Sequence, residues 1–280
     1  MTHGPHNPTF AHSDPLAAFA GKAFASDVNR AALQEDRHDG LATAYRVEAV
    51  STMSWASGLP MPDLAGWLLE GKPLVEAEGN RTFFYLAAKR TLDIVGALAL
   101  LALLGPMMLV TYLTLMITTR GRAIFRQERV GHCGRLFPMY KFRTMRLDAL
   151  ALQAQVKNEK DGPVFKNRRD PRITPIGRVL RSFSIDELPQ LFNVLMGNMS
   201  LVGPRPPIAK EVAKYESGQF RRLAVKPGLT CLWQVSGRCE IGFAEWVKLD
   251  VWYVENQSLW TDLKLLVRTP LSVLSRRGAY

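Results

Sequence analysis

The sequence predicts an α+β fold, mainly helical, in which a membrane-inserted helix-break-helix joins a domain of amphipathic helices and a small β element. Three observations predict it. Residues 94–117 form an apolar run of 24 residues without a charge, with Gly105-Pro106 near its centre. Residues 124–142 interleave aromatic, aliphatic and basic positions around Gly131 and Gly134, as short strands or a hairpin do. Further along, leucines and aromatics recur at helical spacing in three separate stretches.

The chain has 280 residues and a formal net charge of +11, enough length for one sizeable domain plus an appendage. The basic balance favours anionic partners such as acidic headgroups or phosphorylated substrates. Nucleic acid is not expected, because no nucleic-acid motif is present and the basic residues border the apolar run. Cys133, Cys231 and Cys239 are odd in number and lack C-x-x-C spacing, so neither a disulfide framework nor a zinc site is expected.

Residues 1–80 read as a variable, largely disordered region with a short amphipathic helix near 62–70, opened by Pro62 and closed by Gly71 and Pro73. The head "MTHGPHNPTFAHSDP" has no apolar core of a secretory signal. Its histidines, with His38, read as solvated.

The membrane element spans residues 81–122. A helix over residues 94–117 rises about 36 Å, enough to cross a bilayer. Proline at the midpoint removes a backbone donor and favours a kink. Both flanks are basic, with Arg81, Lys89 and Arg90 before the run and Arg120, Arg122, Arg126 and Arg129 after it. A plain crossing and a re-entrant hairpin with legs of about 18 Å both fit the length; only the hairpin keeps both basic flanks on one side.

Residues 123–280 form the expected cytoplasmic domain. In "MYKFRTM", Lys141 and Arg143 flank Phe142, and in a strand they share a face: a phosphate clamp or an exposed basic edge. In "SFSIDELPQLF", Ser184 and Glu187 match the S-x-x-E capping box, which predicts a helix starting there. The helices "FAEWVKLDVWYVEN" and "SLWTDLKLLVRTPLSVLSRR" carry aromatic and leucine faces with basic borders, suited to core packing or to a lipid interface.

The adjacent carboxylates Asp186 and Glu187 are open to two readings. In one they cap a helix and complement its dipole. In the other they serve chemistry on a phosphate: one attacks, one assists, and Mg²⁺ with Arg205 of "VGPRP" neutralises the anion. The prolines beside Arg205 limit the freedom its guanidinium loses on gripping phosphate.

The segments "FRQERVG", "MYKFRTM", "GPVFKNRRDPRIT", "SIDELPQLFNVLMGNMSLVGPRP", "VKPGLTCLWQVSGR" and "DLKLLV" closely resemble the bacterial sugar transferase family. These are the monotopic polyprenyl-phosphate phosphoglycosyl transferases of surface-polysaccharide and exopolysaccharide assembly. The resemblance runs from about Lys89 to Tyr280, and the chain looks like a short form, without the four additional spans of long members.

The resemblance implies a two-step exchange. Asp186, matching the nucleophile, attacks the β-phosphate of a UDP-sugar and expels UMP; polyprenyl (undecaprenyl) phosphate then takes the sugar phosphate. Glu187 matches the second residue of the dyad and Arg205 the phosphate-binding arginine. Mg²⁺ at Asp186 is implied likewise, as are a re-entrant helix broken at proline and residence in the bacterial inner membrane among its lipids. A hexose donor is favoured by analogy alone, and an oligomer is compatible with the reading.

Two departures stand out: Gly105-Pro106 where members often have Ser-Pro, and Cys231 where glycine is usual. The competing readings are a membrane-tethered basic binding protein and a phosphohydrolase with an aspartate nucleophile.

Overall fold

The computed structural model describes residues 82–159, 161–236 and 241–275. The readings made for residues 1–80, including the helix near 62–70, lie outside the described residues, as does Cys239. What is described is α+β and mainly helical.

Helix α1 runs from Phe83 to Thr118, 36 residues, with the Thr82 side chain accepting from the Tyr85 N–H at its start. The break expected at Gly105-Pro106 is not a break in secondary structure, because Pro106 lies inside one continuous helix. The local cost is the single donor that the Ala102 carbonyl would otherwise receive. Asp93, Ala97, Met108 and Leu115 are its buried residues. At 3.6 residues per turn they fall within about 60° of one another, so one face packs and the rest is bare.

That face meets the same body on both sides of Pro106. Ala97 packs with Leu191, Val194, Met199 and Leu201, while Met108 and Leu115 pack with Phe142 and Leu180. The bare face carries Val95, Leu98, Leu103, Leu109, Val110, Leu113 and Ile117, all exposed. Thr111, Thr114 and Thr118 turn their hydroxyls back onto the Met107, Val110 and Thr114 carbonyls, so none of the three presents an unpaired donor from this face.

Strands β1 (Ile124–Val130) and β2 (Leu136–Phe142) form an antiparallel hairpin, Ile124 opposite Phe142 and Val130 opposite Leu136. Pro138 is tolerated because β2 is an edge; Asn193 covers that edge, accepting from the Tyr140 N–H at 3.0 Å and donating to the Pro138 carbonyl at 2.7 Å. Helix α2 (Pro175–Ser182) and helix α3 (Gln190–Leu195) flank the carboxylates. Strand β3 (Ser200–Val202) pairs in parallel with β4 (Gly228–Thr230). Between them lie the single turn α4 (Ala209–Val212) and a 3-10 stretch, Ser217–Leu223. Helices α5 (Leu232–Ser236), α6 (Phe243–Glu255) and α7 (Leu259–Ser275) complete the body.

Polar side chains in the first turns of α1 tie it to the segments that carry the site. Arg90 donates to the Val194 and Leu195 carbonyls at the end of α3, both at 2.7 Å. Asp93 accepts from the Ser200 hydroxyl and the Leu201 N–H in β3. Lys89 reaches Asp262 of α7 at 2.7 Å, and the Tyr253 hydroxyl donates to the same carboxylate at 2.6 Å. Helix α7 buries Asp262 and Leu265 while Trp260, Leu263, Val267, Leu271 and Leu274 stand exposed along its outer side.

Candidate active site

The helix expected to begin at Ser184 does not begin there. Ser184 is left-handed (φ 55°, ψ 21°) and makes no capping bond. It ends the run of α2, and Ile185–Glu187 form a 3-10 turn before α3 starts at Gln190. The apolar positions 180–195 therefore belong to two helices joined at a kink. The reason is electrostatic: Glu187, assigned to the cap by spacing, accepts from the Lys141 ammonium at 2.8 Å instead. A charge-assisted bond of this kind is roughly twice as strong as a neutral one.

This turn leaves the two carboxylates in unequal settings. Asp186 is 7% exposed, and no side chain among the described residues hydrogen-bonds it. Burial, with Glu187 adding to it and Lys141 and Arg181 opposing, raises its pKa to about 6. Glu187 is also desolvated, but Lys141 and then Arg205 and Lys166 outweigh this and hold its carboxyl below the usual range. Neighbouring acids whose titrations are pushed apart suit different roles.

Lys141 reaches Glu187 because Asn193, fully buried in α3, grips β2 on both sides of Met139. Arg143 keeps to the Lys141 face: its N–H extends the ladder to the Ala123 carbonyl at 2.8 Å, and its side chain lies by Phe125, the cross-strand partner of Lys141. Its guanidinium turns toward the foot of α1. There its Nε donates to the Arg122 carbonyl at 2.7 Å and its plane lies over the Phe125 ring at 5.6 Å. On the other flank, α2 lies so close to the hairpin end that a Cβ at Gly177 would meet the Thr144 carbonyl at 2.0 Å. That approach lets Arg181 bond the Thr144 hydroxyl at 2.9 Å while its charge acts on Asp186.

Arg205 follows β3. The chain enters its turn through a crossing of two glycines, where a Cβ on Gly228 would come within 2.0 Å of the Gly203 nitrogen. The Arg129 guanidinium donates to the Pro206 carbonyl at 3.0 Å, and the Val130 N–H to the Pro207 carbonyl at 2.9 Å. Arg205 itself is 28% exposed, with Glu211 Oε1 3.7 Å from its Nη1 and the Trp246 ring centre 5.4 Å from its guanidinium carbon.

Several residues around the site were not read as site residues from sequence, Arg129 having been named only as a basic flank. Arg129 is buried, and desolvation with the charge of Arg205 lowers its pKa to about 10. Arg222 pairs with Asp250 inside the core, 2% and 1% exposed, and donates to the Tyr215 hydroxyl at 2.8 Å. Arg181 adjoins the carboxylates. The one available signal was Asp250 inside an otherwise apolar helix face, since a buried carboxylate demands a partner.

Cys231 is buried, and its thiol donates to Gln234 Oε1 at 3.4 Å. Burial raises its pKa well above that of a free thiol. A methyl group added at Gly105 would meet nothing within 4 Å, so the small size of this residue answers to no close neighbour.

No group of three or more His, Cys, Asp or Glu suited to a metal occurs among the described residues. A lone carboxylate free of cationic hydrogen bonds still suits Mg²⁺, which typically takes one or two carboxylates together with substrate phosphates and water. Asp186 is that carboxylate, and the fit would require a phosphate-bearing ligand to supply further oxygens.

The family described as bacterial sugar transferase matches residues 84–276. A galactosyl transferase, CpsE, of Streptococcus agalactiae is 50% identical over 201 residues, which cover 70% of this chain and 44% of that protein. The undecaprenyl-phosphate galactose phosphotransferase of Salmonella typhimurium is 46% identical, over 69% of this chain and 41% of its own length. The UDP-glucose:undecaprenyl-phosphate glucose-1-phosphate transferase of Caulobacter vibrioides is 41% identical, over 69% and 72%. The match thus spans less than half the length of the first two relatives. All of the site residues above fall inside the matched range, and the chain belongs to the bacterial sugar transferase family.

Proposed function

We propose that this protein transfers a sugar 1-phosphate from a UDP-sugar to polyprenyl phosphate, releasing UMP through a covalent aspartyl-phosphosugar intermediate. The observation that carries the reading is the asymmetry of the pair: Asp186 without a side-chain hydrogen bond among the described residues, Glu187 held by Lys141 at 2.8 Å. The names of the relatives in Salmonella and Caulobacter support the two substrates.

In the first step a carboxylate oxygen of Asp186 attacks the β-phosphorus. The bond from that phosphorus to the bridging oxygen breaks, and UMP leaves with the electron pair. In the second step an oxygen of polyprenyl phosphate attacks the same phosphorus, the bond to Asp186 breaks, and the carboxylate is regenerated. Arg205 and Lys141 neutralise the donor diphosphate, and Lys141 keeps Glu187 aligned for the incoming acceptor. Arg143, beside Arg122 at the foot of α1, meets the acceptor phosphate from the lipid side. Asp186 would hold Mg²⁺, which when bound would supply charge neutralisation at the diphosphate.

The membrane reading places α1 in the bacterial inner membrane as a re-entrant element, with the catalytic domain cytoplasmic. Its support is the contact of both halves of α1 with one body, its bare apolar face, and basic residues at both ends. The exposed stripe of α7, bordered by Lys264 and Arg268, suits the lipid interface. Single cysteines at Leu86 and Arg122 should label only after permeabilisation. Labelling of either one in intact cells would establish a crossing.

Intact-protein mass spectrometry tests the chemistry. With UDP-sugar and Mg²⁺ but no acceptor, the protein should gain the mass of one sugar phosphate, and polyprenyl phosphate should remove it. Asp186→Asn should form no adduct, with turnover reduced by at least about 10³-fold, by comparison with nucleophile removal elsewhere. An active Asp186→Asn would end the nucleophile assignment, and steady turnover without acceptor would make the protein a hydrolase.

A further inference from the structure

Arg205 is the phosphate-gripping arginine of the reading above, yet no hydrogen bond holds its guanidinium among the described residues. Two neighbours compete for it. Glu211 is buried and fixed, its Oε2 accepting from the Ile208 N–H at 3.1 Å, so only Oε1 faces Arg205. A carboxylate committed in this way cannot offer a bidentate fork. The other neighbour is the Trp246 ring, 5.4 Å from the guanidinium carbon. Trp246 is 1% exposed and locked by Trp233 at 4.3 Å and Phe243 at 6.1 Å between ring centres. It is a rigid plate, and tryptophan is the strongest aromatic partner for a cation.

Contact at 3.7 Å is longer than the 2.7–2.9 Å of a closed charge-assisted bond, so Arg205 stops short of Glu211. We propose that Trp246 is a positioning residue for Arg205: its face carries the guanidinium and keeps it off Glu211, leaving the N–H donors for the substrate diphosphate. Cation–π attraction has no hydrogen-bond geometry to satisfy, so it can fix the plane of an arginine without consuming a donor. Hydrogen bonds to Glu211 would fix it equally well and spend the donors. This inference rests on the phosphate-binding reading of Arg205.

The test uses the full chain in lipid nanodiscs with Mg²⁺ and UDP, a diphosphate that carries no sugar to transfer. Trp246→Leu should weaken UDP by about tenfold, the fold-change of one partly desolvated cation–π contact. Trp246→Phe, which keeps a ring face, should lose less. Adding Glu211→Gln to Trp246→Leu should recover most of the loss, because the trap for the freed arginine is then neutral while the Ile208 cap is kept.

A merely structural role would lower thermal stability in both leucine variants without that recovery. Unchanged UDP affinity in Trp246→Leu, or failure of the double variant to recover, overturns the proposal. If Trp246→Leu does not fold, Glu211→Gln alone decides. Tighter UDP binding agrees with the proposal, whereas weaker binding means Glu211 orients Arg205 and the proposal falls. Arg205→Ala run alongside separates the two levels. If it leaves UDP affinity unchanged, the phosphate reading of Arg205 is wrong and the inference falls with it.

Discussion

Arg205 and Arg222 lie against the same tryptophan, 5.4 and 5.3 Å from the Trp246 ring, and do opposite jobs. Arg222 is 2% exposed, paired with Asp250, bonded to the Tyr215 hydroxyl and reaching the Arg205 carbonyl at 3.4 Å. Arg205 is 28% exposed and, among the described residues, meets a distant carboxylate and the ring face. Both carry a full positive charge. The difference is where the donors go: both Arg222 Nη atoms donate inside the protein, to Tyr215, Asp250 and the Arg205 carbonyl, while no described residue takes a guanidinium donor of Arg205. A buried, ion-paired arginine braces the turn, and on the proposed reading the more exposed one keeps its donors for a ligand.

The sharpest way to break this comparison is to remove the inner arginine. Arg222→Leu leaves Asp250 buried without its counter-ion, which should cost about 3–5 kcal/mol. For a domain of this size that corresponds to a fall in melting temperature on the order of 6–20 °C, measured by thermal denaturation in detergent. Activity should be lost with the fold. A stable, active Arg222→Leu would mean the inner pair is dispensable.

Arg205→Lys should show the reverse pattern. Charge is retained and no internal hydrogen bond is lost, so the melting temperature should barely move. A point charge cannot reproduce the planar fork, and activity should drop by about 10–100-fold, equivalent to losing one charge-assisted bond of roughly 1.5–3 kcal/mol. A lysine variant with full turnover would place Arg205 among the structural residues.

The smallest expected effect is a pH dependence that separates the two carboxylates. On the proposed mechanism Asp186 attacks as an anion, and its pKa is raised to about 6 by burial. Protonation therefore removes the nucleophile as pH falls through that value, and the rate of adduct formation should decline about tenfold per unit below it. A cation brought in by the donor would favour the ionised form and move the limb lower, never higher. Glu187 is held below the usual range and contributes no limb near neutrality. The measurement is single-turnover adduct formation from pH 5 to 8, and an alkaline midpoint would contradict the assignment.

Much of the site was legible because it is local in the chain. Asp186 and Glu187 are adjacent, Arg205 sits between prolines, and the apolar run is unbroken by charge; composition and short spacing carry such features directly. The hairpin was legible from the glycines around His132 and Cys133. The capping box at Ser184 was read and did not form, because a spacing rule knows nothing of Lys141, 46 positions upstream. The shared face of Lys141 and Arg143 was legible from period-two spacing, but not their separate partners, Glu187 for one and the Arg122 carbonyl for the other.

The sequence by itself determined where the paired carboxylates, the proline-flanked arginine and the uncharged apolar run fall, since charge, apolar length and turn chemistry are properties of neighbouring residues. Only the tertiary structure decided the partners. Lys141 reaches Glu187 across 46 positions, Arg222 reaches Asp250 across 28, and Lys89 reaches Asp262 across 173. The strength of each pairing depends on burial, which no single stretch of chain encodes. The same residue type is ion-paired scaffold in one environment and left without a guanidinium hydrogen bond in another because desolvation makes an unpaired charge costly in the core and tolerable at the rim.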